Sequence, residues 1–296
     1  MALVATLIAN PSNPVLTPVL GEAACSAVGG SGLYWLADGI ACDIALTDGT
    51  DPDEALGKIR DLLGEAKVDA AVQTAETRRK KILIADMDST MIGQECIDEL
   101  AAEVGLKDKV SAITARAMNG EIDFEPALRE RVGLLAGLPE SVIGDVIASR
   151  ITLTPGGREL VATMRAKGAY TALVSGGFTA FTSVIAKKIG FDENRANILE
   201  SDDGKLTGKV REPILGRQAK VDALQEISDR LDLTPQDAIA VGDGANDLGM
   251  LGLAGSGVAL HAKPSVAAQA DIRIDHGDLT ALLYLQGYRK SDFVQP

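Results

Sequence analysis

The chain has 296 residues, 46% hydrophobic and 24% charged, the make-up of a soluble globular protein with more than one folding unit. A formal net charge of −13 repels nucleic acid and anionic lipid, so neither is an expected partner, and an anionic substrate needs a local patch of positive charge. Three cysteines without a Cys-x-x-Cys pair argue against a disulfide framework or a zinc site, and with no basic leader and no stretch as long as a membrane span they point to a cytoplasmic protein.

Residues 1–75 read as a small α+β domain. Leu3 to Ala9 is apolar and strand-like, and Pro14 to Val28 is expected as a helix ending at Gly29-Gly30. Leu33 to Leu36 and Ile40 to Leu46 flank Ala-Asp-Gly and form a hairpin. Asp51-Pro52-Asp53-Glu54 starts a helix that runs to about Leu63, and Val68 to Val72 is the last strand. The order β-α-β-β-α-β is ferredoxin-like. The polar run Gln73 to Lys81 reads as a linker whose basic residues face solvent.

Lys81 to Asp86 is a continuous apolar run that stops on an acid, as in a buried parallel strand with a functional group at its C-terminal end. From Ile92 to Arg150 the pattern is helical, with Cys96, Ile97, Leu100, Ala101 and Val104 on one face and further helices starting near Lys107, Asp123 and Pro139. Pro155-Gly156-Gly157 closes this block. Strands and helices then alternate: strand 170–174, helix 178–189, a β-excursion over 197–210 turning at Asp203-Gly204, helix 217–231, strand 238–241, helix 246–253, strand 258–260, helix 265–270, strand 272–274 and helix 280–288. Repeated β-α units imply a Rossmann-like parallel sheet. The expected domains are 1–75, a catalytic α/β core of 76–91 and 154–296, and a helical cap of 92–153 inserted over the sheet's C-terminal edge.

Four pieces carry chemistry: Asp86-Met-Asp88-Ser-Thr90, Ser175-Gly176-Gly177, Lys220, and Gly242-Asp243-Gly244-Ala-Asn246-Asp247. Three of them directly follow apolar strands, so a parallel sheet gathers them at one edge. Asp86 can attack phosphorus, and Asp88 can protonate a leaving alkoxide and then deprotonate water. Ser175 and the N–H groups beside it, Gly176 included, can hold phosphate oxygens at a helix N-terminus, with Lys220 adding a compact positive charge. A carboxylate attacking a phosphate dianion is opposed by about 4 kcal/mol per unit charge pair at ~4 Å and an effective dielectric of 20. Asp86 and Asp243 supply hard oxygen ligands for a Mg²⁺ ion that would relieve this.

These four pieces resemble the motifs of the haloacid dehalogenase superfamily, over about Lys80 to the C-terminus. The resemblance implies Asp86 as nucleophile through an aspartyl-phosphate, Asp88 as general acid/base, and Ser175 and Lys220 as stabilisers of phosphate. Mg²⁺ would be held by Asp86, the Asp88 backbone carbonyl and Asp243, with Asp247 in support and Asn246 near the phosphate. The run from Asp86 to Ala101, Phe124 to Leu135, Val-Ser-Gly-Gly-Phe-Thr and Gly-Asp-Gly-Ala-Asn-Asp-Leu-Gly-Met are similar to the phosphoserine phosphatases within that superfamily. That similarity implies Glu95 on the substrate ammonium, Arg131 on its carboxylate and Phe124 with Met118 closing the pocket, in the last step of serine biosynthesis. Longer bacterial members carry ACT-like domains ahead of the catalytic part, so residues 1–75 are expected to dimerise or to take an amino-acid effector.

His261 and His276 sit in no ligand-like cluster, and no phosphate-binding Gly-x₄-Gly-Lys loop or Gly-x-Ser-x-Gly elbow is present. Cys96 reads as a buried structural thiol. The competing enzyme reading is a phosphatase or phosphotransferase for phosphohomoserine, phosphothreonine or another small phosphomonoester. The competing non-enzymatic reading is a receiver-like signalling domain, against which Asp88 argues because it shortens the life of an acyl phosphate.

Overall fold

The computed structural model of the chain describes residues 2–119 and 121–295. It opens with β1 (Leu3–Ala9), α1 (Pro18–Ala27), β2 (Gly32–Ala37), β3 (Ala41–Ala45), α2 (Pro52–Leu63) and β4 (Val68–Thr74). The strands form an antiparallel sheet in the order β2-β3-β1-β4, as the ferredoxin-like pattern requires. One face of the sheet, with Ala5, Leu7, Cys42, Ile44 and Ala70, packs on Ala24 of α1 and on Ala55, Ile59 and Leu63 of α2. Helix α2 starts where its acids place it: Asp51 Oδ1 accepts from Glu54 N–H at 2.8 Å, and Asp53 and Glu54 face the positive end of the helix. Helix α1 starts later than its apolar pattern suggests. Thr17 caps it by accepting from Leu20 N–H at 3.2 Å, and Pro18 has the φ of a first helical residue, so Pro14 stays outside.

The polar run that follows is not a solvated linker. Arg78 Nη2 lies 2.7 Å from Asp43 Oδ2 on β3, and Asp43 also accepts from Thr6 Oγ1 at 2.7 Å across the β1–β3 register. Arg79 stacks on the Tyr288 ring at 4.2 Å, and Lys80 is buried. A buried acid on β3 needs a cation, and the sequence pattern of the run alone does not reveal that partner.

The chain continues through β5 (Ile82–Ala85), a tight helical turn at Met87–Met91, α3 (Cys96–Ala102), α4 (Lys107–Met118), α5 (Phe124–Gly133), α6 (Val142–Ser149), α7 (Gly157–Ala166), β6 (Tyr170–Phe178) and α8 (Thr179–Ile189). Then come β7 (Glu193–Asn197), β8 (Leu199–Asp202), β9 (Lys205–Val210), α9 (Arg217–Arg230), β10 (Ala238–Gly242), α10 (Leu248–Leu253), β11 (Ser256–Leu260), α11 (Pro264–Ala267), β12 (Ile272–Ile274) and α12 (Ala281–Leu285). Two elements were not expected from the sequence. Helix α7 hides behind Pro155-Gly156-Gly157, where Gly156 at φ +81° makes the entry turn and the helix begins at once. Strand β7 reads as polar, with Glu193, Asn194 and Arg195, because it lies at one end of its sheet.

By contact the chain divides into two compact units: residues 1–81 with 155–169 and 272–296, and residues 82–154 with 170–271. In the first, α12 packs on β1 and on α7. In the second, β11-β10-β5-β6-β7 lie in that order, every pair parallel. The register aligns Val241 with Ala85 and Ala85 with Leu173, so β10, β5 and β6 reach the same edge together. Ile82, Ile84, Ala172 and Val174 bury one face of this sheet against Ala223, Leu224 and Ile227 of α9 and Met250 and Leu251 of α10. That packing fixes where the first turn of α9, and hence Lys220, is held.

The block between β5 and α7 is helical, as expected. Its ends are joined by a bridge between Ile92 and Leu153, by Gly93 N–H to Thr152 O at 3.0 Å and by reciprocal bonds between the Gln94 amide and Thr152. The hairpin of β8 and β9 turns at Asp203-Gly204 and hydrogen-bonds this block through Leu206 to Gly137 and Leu138. Among the described residues, no helix is long and apolar enough to cross a membrane.

Candidate active site

Three strand tips and one helix start meet. Asp86 follows β5, and its Oδ1 lies 2.7 Å from Lys220 Nζ, the two side chains 4% and 2% exposed. Lys220 Nζ also donates to Asp247 Oδ1 at 2.6 Å. The other Asp247 oxygen accepts from Asp243 N–H at 3.2 Å and Gly244 N–H at 3.0 Å, which curls the β10–α10 loop back on itself. Only glycine fits at 242, because a Cβ there would lie 2.4 Å from Asp247 Cγ. Asp86, Asp243 and Asp247, all buried, each offer an oxygen within 4.8 Å of the others. Thr90 Oγ1 donates to Asp243 Oδ1 at 3.3 Å, placed by the turn after β5 in which Ser89 takes a left-handed φ of 55°.

The site carries more negative charge than its lysine can answer. Burial first, then repulsion from Asp247, push the Asp86 carboxyl up to about 7 even though Lys220 opposes the rise. Asp243 is raised well above the usual carboxylate range by burial and by Asp247. Burial opposes charge on Lys220, but Asp247 and Asp86 outweigh it and hold the ammonium protonated beyond its usual range. Asp243 Oδ2 accepts no hydrogen bond, and the nearest cation to it is Lys263 at 3.7 Å. Converging buried carboxylate oxygens, one of them unpartnered, are the donor set that a hard divalent cation takes, so these residues fit Mg²⁺.

Asp88 stands beside this cluster. It lies against Cys96 at the start of α3. Its Oδ1 is buried without a hydrogen bond. Burial, then Glu95 and Asp86, raise it well above its usual range. Cys96 is buried, as expected.

A cavity opens over these groups, lined by Asp86, Asp88, Glu95, Arg131, Ser175 and Asn246. Gly176, Gly177 and Phe124 also line it. The Ser175-Gly176-Gly177 segment differs from expectation: it is not a turn at a helix N-terminus but the extension of β6, and α8 begins only at Thr179. Gly177 N–H donates to Ser175 Oγ at 2.8 Å. Phe124 leans on Gly176, where a Cβ would meet its ring at 2.7 Å. The side chain of Met118 lies outside the described residues.

Glu95 and Arg131 are not surface charges. Glu95 Oε1 accepts from Ser89 Oγ at 2.5 Å, and its pKa is raised, chiefly by burial. Arg131 is 5% exposed; its Nε donates to Ala127 O at 3.1 Å and its Nη1 to Thr114 Oγ1 at 2.9 Å.

Sequence reasoning assigned no individual role to Ser89, Thr90, Asn197 or Lys263. The first two stand directly after the Asp86-x-Asp88 pair, in the same motif. Asn197 donates to Gly176 O at 2.8 Å and Leu215 O at 3.1 Å and accepts from Leu215 N–H at 2.7 Å, tying the Ser-Gly-Gly segment to the chain entering α9. Nothing local in the sequence marks it.

The haloacid dehalogenase-like hydrolase family model matches residues 83–252. A probable phosphoserine phosphatase of Schizosaccharomyces pombe is 48% identical over 211 residues, 71% of this chain and 70% of that one. Other curated phosphoserine phosphatases are spanned over 55% to 94% of their own lengths. The structure of a probable phosphoserine phosphatase from Vibrio cholerae superposes with a TM-score of 0.77 at 33% identity, over 97% of this chain and 86% of that one. A structure described as a phospho-aspartyl intermediate analogue of phosphoserine phosphatase superposes with a TM-score of 0.67 at 41% identity, over 70% of this chain and 98% of that one.

Proposed function

The chain belongs to the haloacid dehalogenase-like hydrolase family, and from that premise we propose that it hydrolyses O-phospho-L-serine to L-serine and phosphate through an aspartyl-phosphate on Asp86. The observation that carries the reading is the single cavity that joins Asp86 and Asp88 to Glu95 and Arg131. The first pair supplies phosphoryl-transfer chemistry, and the second pair supplies one anion and one forked cation, the complement of an amino-acid head group.

An oxygen of Asp86 attacks phosphorus as the bond from phosphorus to the serine oxygen breaks. Asp88, whose carboxyl is pushed above its usual range by burial, Glu95 and Asp86, gives a proton to the departing serine oxygen. Asp88, now a carboxylate, takes a proton from water, whose oxygen attacks the acyl phosphate and frees phosphate and the Asp86 carboxylate. Lys220 stays charged against Asp86 and Asp247 and with Ser175 Oγ and the Gly176 N–H receives the phosphate oxygens. Asp86, the Asp88 carbonyl and Asp243, with Asp247 in support, would hold Mg²⁺, which would supply the charge that lets a carboxylate approach a phosphate dianion. Asn246, whose Oδ1 is buried without a hydrogen bond, lies beside the phosphate.

Residues 92–153 act in this reading as a cap over the core of 76–91 and 154–296, excluding water from the acyl phosphate and opening to release serine. Residues 1–75 stand apart from the chemistry as an ACT-like module for dimerisation and for an amino-acid effector, which their ferredoxin-like strand order supports. Free cysteines support a cytoplasmic setting.

The test is phosphate release from O-phospho-L-serine, O-phospho-L-threonine, O-phosphohomoserine and O-phosphoethanolamine, with Mg²⁺ and with a chelator. Highest kcat/KM for phosphoserine, lost on chelation, is the expected result. Equal turnover of phosphoserine and phosphoethanolamine would remove the amino-acid head group from the reading.

A further inference from the structure

Three helices of the cap each contribute one member to a buried hydrogen-bonded chain behind Arg131. Asp98 comes from α3, Thr114 from α4 and Arg131 from α5. Asp98 Oδ1 accepts from Thr114 Oγ1 at 2.7 Å, and Asp98 Oδ2 accepts from Ser111 Oγ at 2.7 Å. Thr114 Oγ1 accepts from Arg131 Nη1 at 2.9 Å. The three residues are 9%, 3% and 5% exposed.

The direction of each bond follows from what the groups can do. A guanidinium only donates and an ionised carboxylate only accepts. A threonine hydroxyl has one proton, and the acceptors near Thr114 are Asp98 Oδ1 at 2.7 Å and Val110 O at 3.1 Å. Its proton therefore goes to an acceptor, and its lone pair turns to Arg131. The guanidinium is held from behind at two points, Nε on Ala127 O and Nη1 on Thr114. One Nη1 hydrogen and both Nη2 hydrogens are left over, the fork that pairs bidentately with a carboxylate. Without the hydroxyl, a long side chain in a pocket samples other rotamers, and each one misplaces the fork. Burial lowers the Arg131 pKa, and the charges of Glu95 and then Asp98 oppose that.

We propose that Thr114 is a positioning residue for substrate selection: its hydroxyl, oriented by the Asp98 carboxylate and seconded by Ser111, holds the Arg131 guanidinium where the α-carboxylate of the substrate docks. The inference rests on the reading of Arg131 as the carboxylate clamp. It assigns the choice of substrate in part to helix α4, where the resemblance gave a role to Met118 and none to Thr114.

The experiment is steady-state kinetics of the full-length Mg²⁺-loaded enzyme on O-phospho-L-serine and on O-phosphoethanolamine, which keeps the ammonium and phosphate but lacks the carboxylate. Thr114→Val keeps the β-branched shape and removes the hydroxyl. It is expected to lower kcat/KM for phosphoserine by about tenfold to a hundredfold, chiefly through KM, as for a hydrogen bond to a charged group. The value for phosphoethanolamine stays within about twofold, on the same scale. Thr114→Ser restores phosphoserine turnover, and Asp98→Asn repeats the Thr114→Val pattern more weakly and gives the same readout if the valine variant does not fold. Equal losses on both esters would mean loosened cap packing and would overturn the assignment. Arg131→Ala separates the two layers. If it abolishes the preference for phosphoserine and Thr114→Val and Asp98→Asn do not touch that preference, the positioning role fails alone. If Arg131→Ala leaves the preference intact, the clamp fails and the positioning role with it.

Discussion

Two acid–base clusters in this chain share the same ion-pair distance and behave oppositely. On β3, Asp43 faces Arg78 at 2.7 Å and Thr6 at 2.7 Å, one acid answered by one cation and one hydroxyl. At the tips of β5 and β10, Lys220 answers Asp86 and Asp247 together, while Asp243 and Asp88 stand close by with an oxygen that accepts no hydrogen bond. Burial of a matched pair costs desolvation that the pair's own attraction offsets. Burial of several acids around one lysine leaves carboxyls displaced from their usual range and oxygens turned toward space, which no packing requirement explains. The difference between a structural ion pair and a reactive one is thus a matter of charge count and of unpartnered carboxylate oxygens rather than of distance, which is near 2.7 Å in both.

The contrast can be broken by exchanging the roles in experiment. Asp86→Asn is expected to reduce turnover to background with a folded protein by circular dichroism; normal activity would remove Asp86 as nucleophile. Chelation of Mg²⁺ is expected to abolish turnover and addition of Mg²⁺ to restore it. Binding of the ion should raise Tm in the parent protein and not in Asp243→Asn. Asp88→Asn is expected to slow both half-reactions by about 10²–10⁴-fold, read in a pre-steady-state assay, as for loss of one general acid/base. Asp43→Asn should invert this profile. It leaves the part-buried Arg78 without its anion and is expected to cost about 1.5–3 kcal/mol of stability in denaturant unfolding, as for a hydrogen bond to a charged group. Its kcat/KM below the unfolding transition should stay unchanged; a matching loss of activity would erase the distinction between the clusters. The smallest effect belongs to Ser89→Ala, which frees Glu95 of its short hydrogen bond and is expected to weaken phosphoserine turnover severalfold, about 1 kcal/mol.

The reactive cluster was legible because its residues announce themselves locally. Ile82 to Ala85 is apolar and ends on Asp86, Ala238 to Val241 is apolar and leads to Gly242-Asp243, and a parallel register necessarily sets such ends side by side. Lys220 was legible by its place near the start of α9. Glu95 and Arg131 were legible only through resemblance, since a charge on an amphipathic cap helix carries no sign of being turned inward. Arg78 and Lys80 were misread for the converse reason: a basic run looks solvated unless its partner is known, and Asp43 lies 35 residues away. Helix α7 was missed because Gly-Gly after proline reads as a break, when the left-handed Gly156 is what lets the helix start. Thr114 escaped because a hydroxyl in a helix interior has many ordinary uses. Only the tertiary approach of α3, α4 and α5 gives it a task.

The claim on which the account turns is that a carboxyl oxygen of Asp86 becomes phosphorylated. Its most direct measurement is rapid acid quench of the Mg²⁺-loaded Asp88→Asn variant mixed with phosphoserine, followed by mass spectrometry of the peptide containing residues 82–91. The account predicts one added phosphoryl group on Asp86, sensitive to hydroxylamine as an acyl phosphate is. Turnover of phosphoserine with no phosphorylated aspartate, or with the phosphoryl group on another residue, would contradict it.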